Sequence, residues 1–287
     1  MSGAKADFDS IYDQPDPRAY YETLGALDYQ VPAHGASLFT KIFDRVEAPR
    51  SELTVLDVCC SYGVTAALMN HELDMTELYG HYAAAADAGR DEVLERDRRF
   101  YAERRVDEPV RLIGLDVAGR ATGYAVEAGL LDDAVVADLE SHDPDDDARS
   151  VLADVDLITS TGGIGYVSGA TLGRLIDAAD SRPTIAALTL RWIDTDDITA
   201  VLADRGYKTE RVEDLVVPQR RFADDGERSH AFAELDRLGR AAGPLEERGW
   251  HAADLFLAWP ADRPQAATAD LVEPEDRRLV TPVSLNA

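Results

Sequence analysis

From residue 53 onward the chain alternates short unbroken apolar runs with stretches of helical period. The apolar runs are "LTVLDVC" (53–59), "PVRLIGLDV" (109–117), "DAVVADL" (133–139), "VDLITST" (155–161) and "PTIAALTLRW" (183–192). Helical stretches lie between them near 63–73, 83–105, 120–130, 145–152 and 168–181. Continuous rather than alternating runs predict strands buried on both faces, so the fold class expected is α/β, a parallel sheet covered by helices on each side. After "ITAVLADRGY" (198–207) the pattern gives a strand at "KTERVEDLVV", a mostly helical insertion near 218–250 and a last strand at "ADLFLAWP" (253–260). A terminal strand pair closing the sheet would make it mixed.

Ahead of this core, two helices are expected at about 18–27 and 34–47, the second following "YQVPAH", where Pro32 disfavours helix just before it. The organisation read from the chain is an N-terminal helical lid (1–50), an α/β domain (51–262) carrying the insertion, and a proline-rich tail (263–287).

Composition narrows the function classes. The 287 residues are 45% apolar, enough for one large domain. The formal charge is −26, and lysine occurs only at Lys5, Lys41 and Lys208, a balance that would repel a phosphate backbone. The arginines of "RDEVLERDRRFYAERR" alternate with acids and read as a solvated helix laced with ion pairs. Neither nucleic acid nor membrane is therefore expected as a partner: no run approaches the roughly 18 apolar residues of a span. The acidic N-terminus has no apolar signal core, and a cytoplasmic location is expected. The two cysteines are neighbours, which argues against a disulfide framework.

The most informative stretch is "VLDVCCSYG" (55–63), a strand running into a tight turn of small residues. In a doubly wound sheet, ligands bind beyond the carboxyl ends of the strands, and small residues let backbone N–H groups approach them. The stretch is not a G-x-G-x-x-G fingerprint. Asp57, an acid at the strand end, suits a ligand carrying an ammonium or sulfonium charge rather than a phosphate. Cys59 and Cys60 read as small buried hydrophobes, with no partner histidine to make either a nucleophile.

At these residues the chain resembles the class I S-adenosylmethionine (SAM) dependent methyltransferases, over about residues 50 to 260. Asp57 matches the acid of the family's first motif and Gly63 its last glycine, whereas Cys59 and Ser61 stand where two earlier glycines are usual. The resemblance implies a Rossmann-like sheet and SAM as co-substrate, with Asp57, Cys59, Ser61 and Gly63 around it. It implies Asp116 and Val117 at the ribose, Asp138 near the adenine amino group, and Leu139 against the ring. Ser160 and Thr161, in "DLITSTGGIGYV" (156–167), would face the reacting sulfonium. About sixty residues separate Asp57 from Asp116, against about twenty between the corresponding groups of a short nucleotide-binding unit. The helical pattern at 83–105 accounts for this as an extra helix in the crossover.

Methyl transfer is an in-line displacement, in which the protein aligns donor and acceptor and excludes water. The fold therefore leaves the acceptor unspecified, and a small metabolite is the default. Tyr166, beyond the fourth strand, and Tyr29 and His34, in the tyrosine-rich segment with Tyr20 and Tyr21, are the catalytic candidates. Arg220 and Arg221 are candidates for meeting a carboxylate or for simple exposure. His142 reads as solvated. His71, His81, His230 and His251 show no ligand spacing, and no metal site is expected. A homodimer is the oligomer considered. Three other readings stay open: a SAM-consuming cyclase releasing methylthioadenosine, as in azetidine-2-carboxylate formation, an NAD-dependent enzyme, and a non-catalytic subunit of the same fold.

Overall fold

The computed structural model describes residues 9–44 and 53–263. Its strands are β1 Thr54–Val58, β2 Arg111–Asp116, β3 Asp133–Val136, β4 Leu157–Thr161, β5 Thr184–Leu190, β6 Tyr207–Arg221 and β7 Trp250–Pro260. They form one sheet in the order β3-β2-β1-β4-β5-β7-β6. β1 to β5 pair in parallel, while β7 lies antiparallel between β5 and β6. The sheet is mixed, as the terminal strand pair predicted.

Helices cover both faces. Before the sheet come α1 (Asp9–Tyr12), α2 (Arg18–Gly25) and α3 (Val31–Phe43). Within the first crossover lie α4 (Val64–Asn70), α5 (Met75–Ala83) and α6 (Arg90–Ala102). Then follow α7 (Gly119–Glu127), α8 (Asp146–Leu152), α9 (Gly169–Ala178), α10 (Asp196–Asp204), α11 (Asp225–Arg237) and α12 (Pro244–Glu247). One apolar core joins Leu24, Phe39, Val64, Leu78 and Tyr124 to one face of the sheet. A second gathers Leu152, Leu172 and Ile198 on the other. Burying both faces is what the unbroken apolar strands required.

Several boundaries differ from the sequence expectation. α3 starts at Val31 and takes Pro32 into its first turn, where a missing N–H costs nothing. The long crossover holds two extra helices rather than one. α5 is opened by a capping box: Asp74 accepts the Glu77 N–H at 2.9 Å and Glu77 the Asp74 N–H at 3.0 Å. β6 runs on to Arg221, so the helices of the insertion begin at Asp225. The N-terminal helices share the core beneath the first face of the sheet. The expected boundary at residue 50 and the tail from 264 lie outside the described residues.

α6 carries ion pairs on its exposed side, as expected, with Arg99 near Glu95 and Arg90 near Glu127, but it buries one face at Val93, Leu94, Asp97 and Tyr101. Asp97 is wholly buried, and its carboxyl takes hydrogen bonds from Tyr82 at 2.8 Å and Tyr124 at 2.7 Å, with His81 Nε2 at 2.7 Å. This network locks α5, α6 and α7 together.

Among the described residues no helix is long and apolar enough to cross a membrane, and no group of three or more His, Cys, Asp or Glu could hold a metal ion.

Candidate active site

β1 and β4 are neighbours, while the chain passes from β1 to β2 on the other side. A crevice therefore opens between them at their carboxyl ends, at the topological switch point. The turn leaving β1 places three alternate residues in the left-handed region: Cys59 (φ 60°), Ser61 (φ 48°) and Gly63 (φ 72°). These include the two positions where the resembled family carries glycine and this chain does not. The backbone thus keeps a glycine-type turn with Cβ atoms at two of its strained positions.

Hydrogen bonds hold the turn. Asp116 Oδ2 accepts the Ser61 N–H at 2.8 Å, and its Oδ1 accepts the Ala118 N–H at 3.0 Å. Gly63 donates its N–H to the Cys60 carbonyl at 2.9 Å. Cys60 packs over β2 at Gly114, where an added Cβ would come within 2.6 Å of its sulfur.

Above the turn lies a cavity of about 400 Å³, within the range of small-molecule sites. Asp116, Val117, Cys59 and Ser61 form its β1–β2 side; Thr65, Thr161 and Tyr166 lie towards β4. Val117 is 68% exposed and Tyr166 50%. The N-terminal segment supplies a wall through Tyr12, Asp13, Tyr20, Leu24, Tyr29 and Pro32. That segment is pinned to the turn: Tyr62 donates its hydroxyl proton to the Gln14 carbonyl at 3.0 Å and accepts the Gln14 N–H at 2.8 Å. It is pinned to β6 where Gln30 donates its N–H to the Gln219 carbonyl at 2.9 Å and Arg221 to the Leu27 carbonyl at 2.8 Å.

Burial pushes the phenols of Tyr12, Tyr20 and Tyr29 upward, so all three stay protonated. Asp57 is 2% exposed and lies beneath the cavity rather than in its lining. Burial pushes its carboxyl up to about 7, with the charge of Asp116 adding and hydroxyls from Thr159 and Thr65 opposing. Thr65 Oγ1 in turn lies 3.1 Å from Thr161 Oγ1, so hydroxyls connect the buried acid to the cavity.

Of the residues picked from sequence, Tyr29, Cys59, Ser61, Asp116, Val117, Thr161 and Tyr166 line this cavity. Six others do not. Gly63 starts α4. Ser160 is buried and donates its hydroxyl proton to the Val58 carbonyl at 2.9 Å. His34 sits on α3, where burial lowers its pKa to about 4; its Nε2 is buried with no partner among the described residues. Asp138 and Leu139 line a separate hollow beyond β3, and Asp57 lies under the floor. The Asp138 carboxylate is held low by hydrogen bonds from Ser141, while the Leu139 side chain is buried in the second core.

Thr65, Gln219 and Arg220 also line the cavity. Arg220 is not exposed: Glu227 accepts its NH1 at 2.8 Å and its NH2 at 2.5 Å. Arg221 pairs with Asp28 at 2.7 Å and lies over the Trp250 ring. A hydroxyl in the "GVTAA" helix start was the available sequence signal for Thr65; nothing in the local pattern marked Gln219.

No family model matches the chain, and no curated protein matches it. Similar solved structures include the plantazolicin methyltransferase BpumL in complex with SAH, at 11% identity over 88% of this chain and 93% of that one, with a TM-score of 0.44. Another is a SAM-dependent methyltransferase from Aquifex aeolicus, at 16% identity over 88% and 99% of the two chains, TM-score 0.38. A third is a functionally unknown protein from Deinococcus radiodurans, at 14% identity over 78% and 85%, TM-score 0.40.

Proposed function

We propose that this chain binds SAM in the switch-point cavity and transfers its methyl group to a small-molecule acceptor. The carrying observation is the unit made by the turn and Asp116: left-handed backbone at residues 59, 61 and 63, closed by one carboxylate on the neighbouring strand. The residues fit a nucleoside. Asp116 faces the cavity with carboxylate oxygens able to accept from ribose hydroxyls, and Ser61 Oγ is buried beside it with no partner among the described residues. Val117 presents an exposed apolar surface next to them, suited to a base.

Bound SAM would supply a methyl group already activated by its sulfonium charge. The protein's own contribution is then binding, alignment and exclusion of water. Tyr12, Tyr20 and Tyr29 are neutral aromatic walls, favourable beside a cation. They are not bases at neutral pH, because burial keeps their protons on. Should the acceptor have to lose a proton, Asp57 is the group poised to take it up, reached from the cavity through Thr161 and Thr65.

Calorimetric titration with SAM, S-adenosylhomocysteine and NAD tests this reading. Saturable binding of the two adenosyl ligands is expected; binding of NAD alone would overturn it.

A further inference from the structure

Beyond the nucleoside-facing residues, the cavity ends at a bulge on β6. Pro218 pairs with Ala252 and Arg220 with His251, two adjacent residues of β7, so Gln219 is an extra residue in the ladder. An extra residue breaks the alternation of a strand and re-aims its side chains. Here it lets the consecutive residues Gln219 and Arg220 both line the cavity. They are 4% and 2% exposed. The Gln219 amide lies against Gly162, just beyond β4, where an added Cβ would come within 2.5 Å of Nε2. Gly162 (φ 83°) thus leaves room for it. Asp116 ends β2, on the other side of β1.

Two features of this pair point to a ligand. Gln219 Oε1 is a buried acceptor with no partner among the described residues, on a residue that lines the cavity. Arg220 is the one cation among the described residues lining that cavity. Its guanidinium is aimed by a buried relay. Trp192 Nε1 donates to His251 Nδ1 at 3.1 Å, which leaves the imidazole proton on Nε2, facing Glu227 Oε2 at 3.2 Å. Glu227 also takes the Ala223 N–H at 2.7 Å and grips Arg220 through both carboxylate oxygens.

We propose that the Gln219–Arg220 bulge is a receptor for an α-amino-acid group, with Arg220 holding the carboxylate and Gln219 Oε1 accepting from the ammonium. Glu227 and His251 are its positioning residues. The inference deepens the SAM reading and rests on it, because the methionyl end of SAM carries this zwitterion. A free amino acid serving as second substrate carries the same chemistry.

The test compares S-adenosylhomocysteine with 5′-methylthioadenosine, which keeps the nucleoside and thioether but lacks the amino acid. The parent should bind the first at least tenfold more tightly. Gln219→Met, and the double variant Arg220→Met with Glu227→Gln, which strands no buried charge, should each weaken S-adenosylhomocysteine about tenfold. Both should leave methylthioadenosine within about threefold. Circular dichroism and thermal melts identify a variant that has failed to fold, and Gln219→Met serves if the double variant does.

A second arm titrates L-methionine into protein saturated with S-adenosylhomocysteine. Binding there that is lost in the variants, with the nucleoside gap unchanged, assigns the receptor to a free amino acid. If neither arm depends on Gln219 or Arg220, or if both nucleosides weaken equally, the receptor is wrong. A parent that binds neither nucleoside sinks the SAM reading instead. The receptor then stands on L-methionine binding to the ligand-free parent, and absence of that binding overturns it too.

Discussion

Asp116 on β2 accepts the backbone N–H of Ser61, in the turn after β1, at 2.8 Å. One carboxylate thereby fixes the turn and faces the cavity. Asp116→Ala should act in two ways. It removes the acceptor of the Ser61 and Ala118 amides, and it removes the partner proposed for the ribose. Loss of a charge-assisted hydrogen bond is worth about 1.5–3 kcal/mol, so SAM affinity should fall at least tenfold and the melting temperature should drop with it. Calorimetry and thermal melts check both. Undiminished affinity would remove Asp116 from the site.

Cys59 and Ser61 hold left-handed backbone that costs a residue with a Cβ about 1–2 kcal/mol. Cys59→Gly and Ser61→Gly should therefore each stabilise the fold by about 1 kcal/mol, a little less than the strain because glycine also loosens the unfolded chain. Urea unfolding measures this. Cys59→Val, β-branched at the same φ, should destabilise. Equal stability of all three variants would mean the turn is not strained.

Asp57 and His34 pull the pH dependence of stability in opposite directions. Asp57 rises on folding from 3.8 to about 7, so the folded state holds the proton more tightly. Stability from this group is present below the unfolded value and is lost as pH climbs from about 4 to 7, on the order of 4 kcal/mol. His34 falls from 6.5 to about 4, so its contribution is lost as pH drops through that window. The parent should show a shallow profile between pH 4 and 7. Asp57→Asn should make stability fall towards acid, and His34→Leu should make it fall towards pH 7. Parallel profiles for all three proteins would contradict the assignment.

The centre of the sheet was legible because β1, β4 and β5 are buried on both faces, which leaves short unbroken apolar runs whose length and spacing between helical stretches mark them as strands. Asp116 and the turn were legible for the same reason: an acid after such a run is conspicuous. Other features depend on distant partners. Asp97 looks like any acid of an arginine-rich helix until Tyr82 and Tyr124 converge on it from α5 and α7. Asp57 and Ser160 occupy expected strand positions, yet their side chains turn into packing beneath the cavity. Gln219 enters the cavity only because β6 carries an extra residue relative to β7, a mismatch between two strands about thirty residues apart.

That dependence gives the Asp97 network a prediction of its own. The buried carboxyl is satisfied by two phenols and an imidazole; removing it leaves His81 and Tyr124 without that acceptor and Tyr82 with only the Tyr101 hydroxyl, at 2.9 Å. Asp97→Ala should cost about 3–5 kcal/mol, the scale for breaking a buried charged or hydrogen-bonded cluster. Asp97→Asn keeps the shape and one acceptor oxygen, so it should cost less. Denaturant titration of the two variants separates them, and equal costs would mean that packing rather than hydrogen bonding dominates there.

Gly35 on α3 decides how closely the N-terminal wall approaches the cavity. A Cβ there would collide with Thr161 Cγ2 and come within 3.1 Å of the Phe39 ring. Thr161 ends β4 and lines the cavity, and its hydroxyl meets Thr65. Gly35→Ala must therefore push α3 outward or turn Thr161 away from Thr65. Overpacking of this kind costs about 1–3 kcal/mol, and a helix interior would otherwise favour alanine by up to about 1 kcal/mol. The net loss of stability should be small, while SAM affinity falls several-fold because the wall formed by Tyr29 and Pro32 moves with α3. Gly35→Ala with Thr161→Ser removes the colliding methyl, keeps the hydroxyl, and should restore affinity. If the double variant binds no better than Gly35→Ala, the close approach of α3 to β4 does not shape the site.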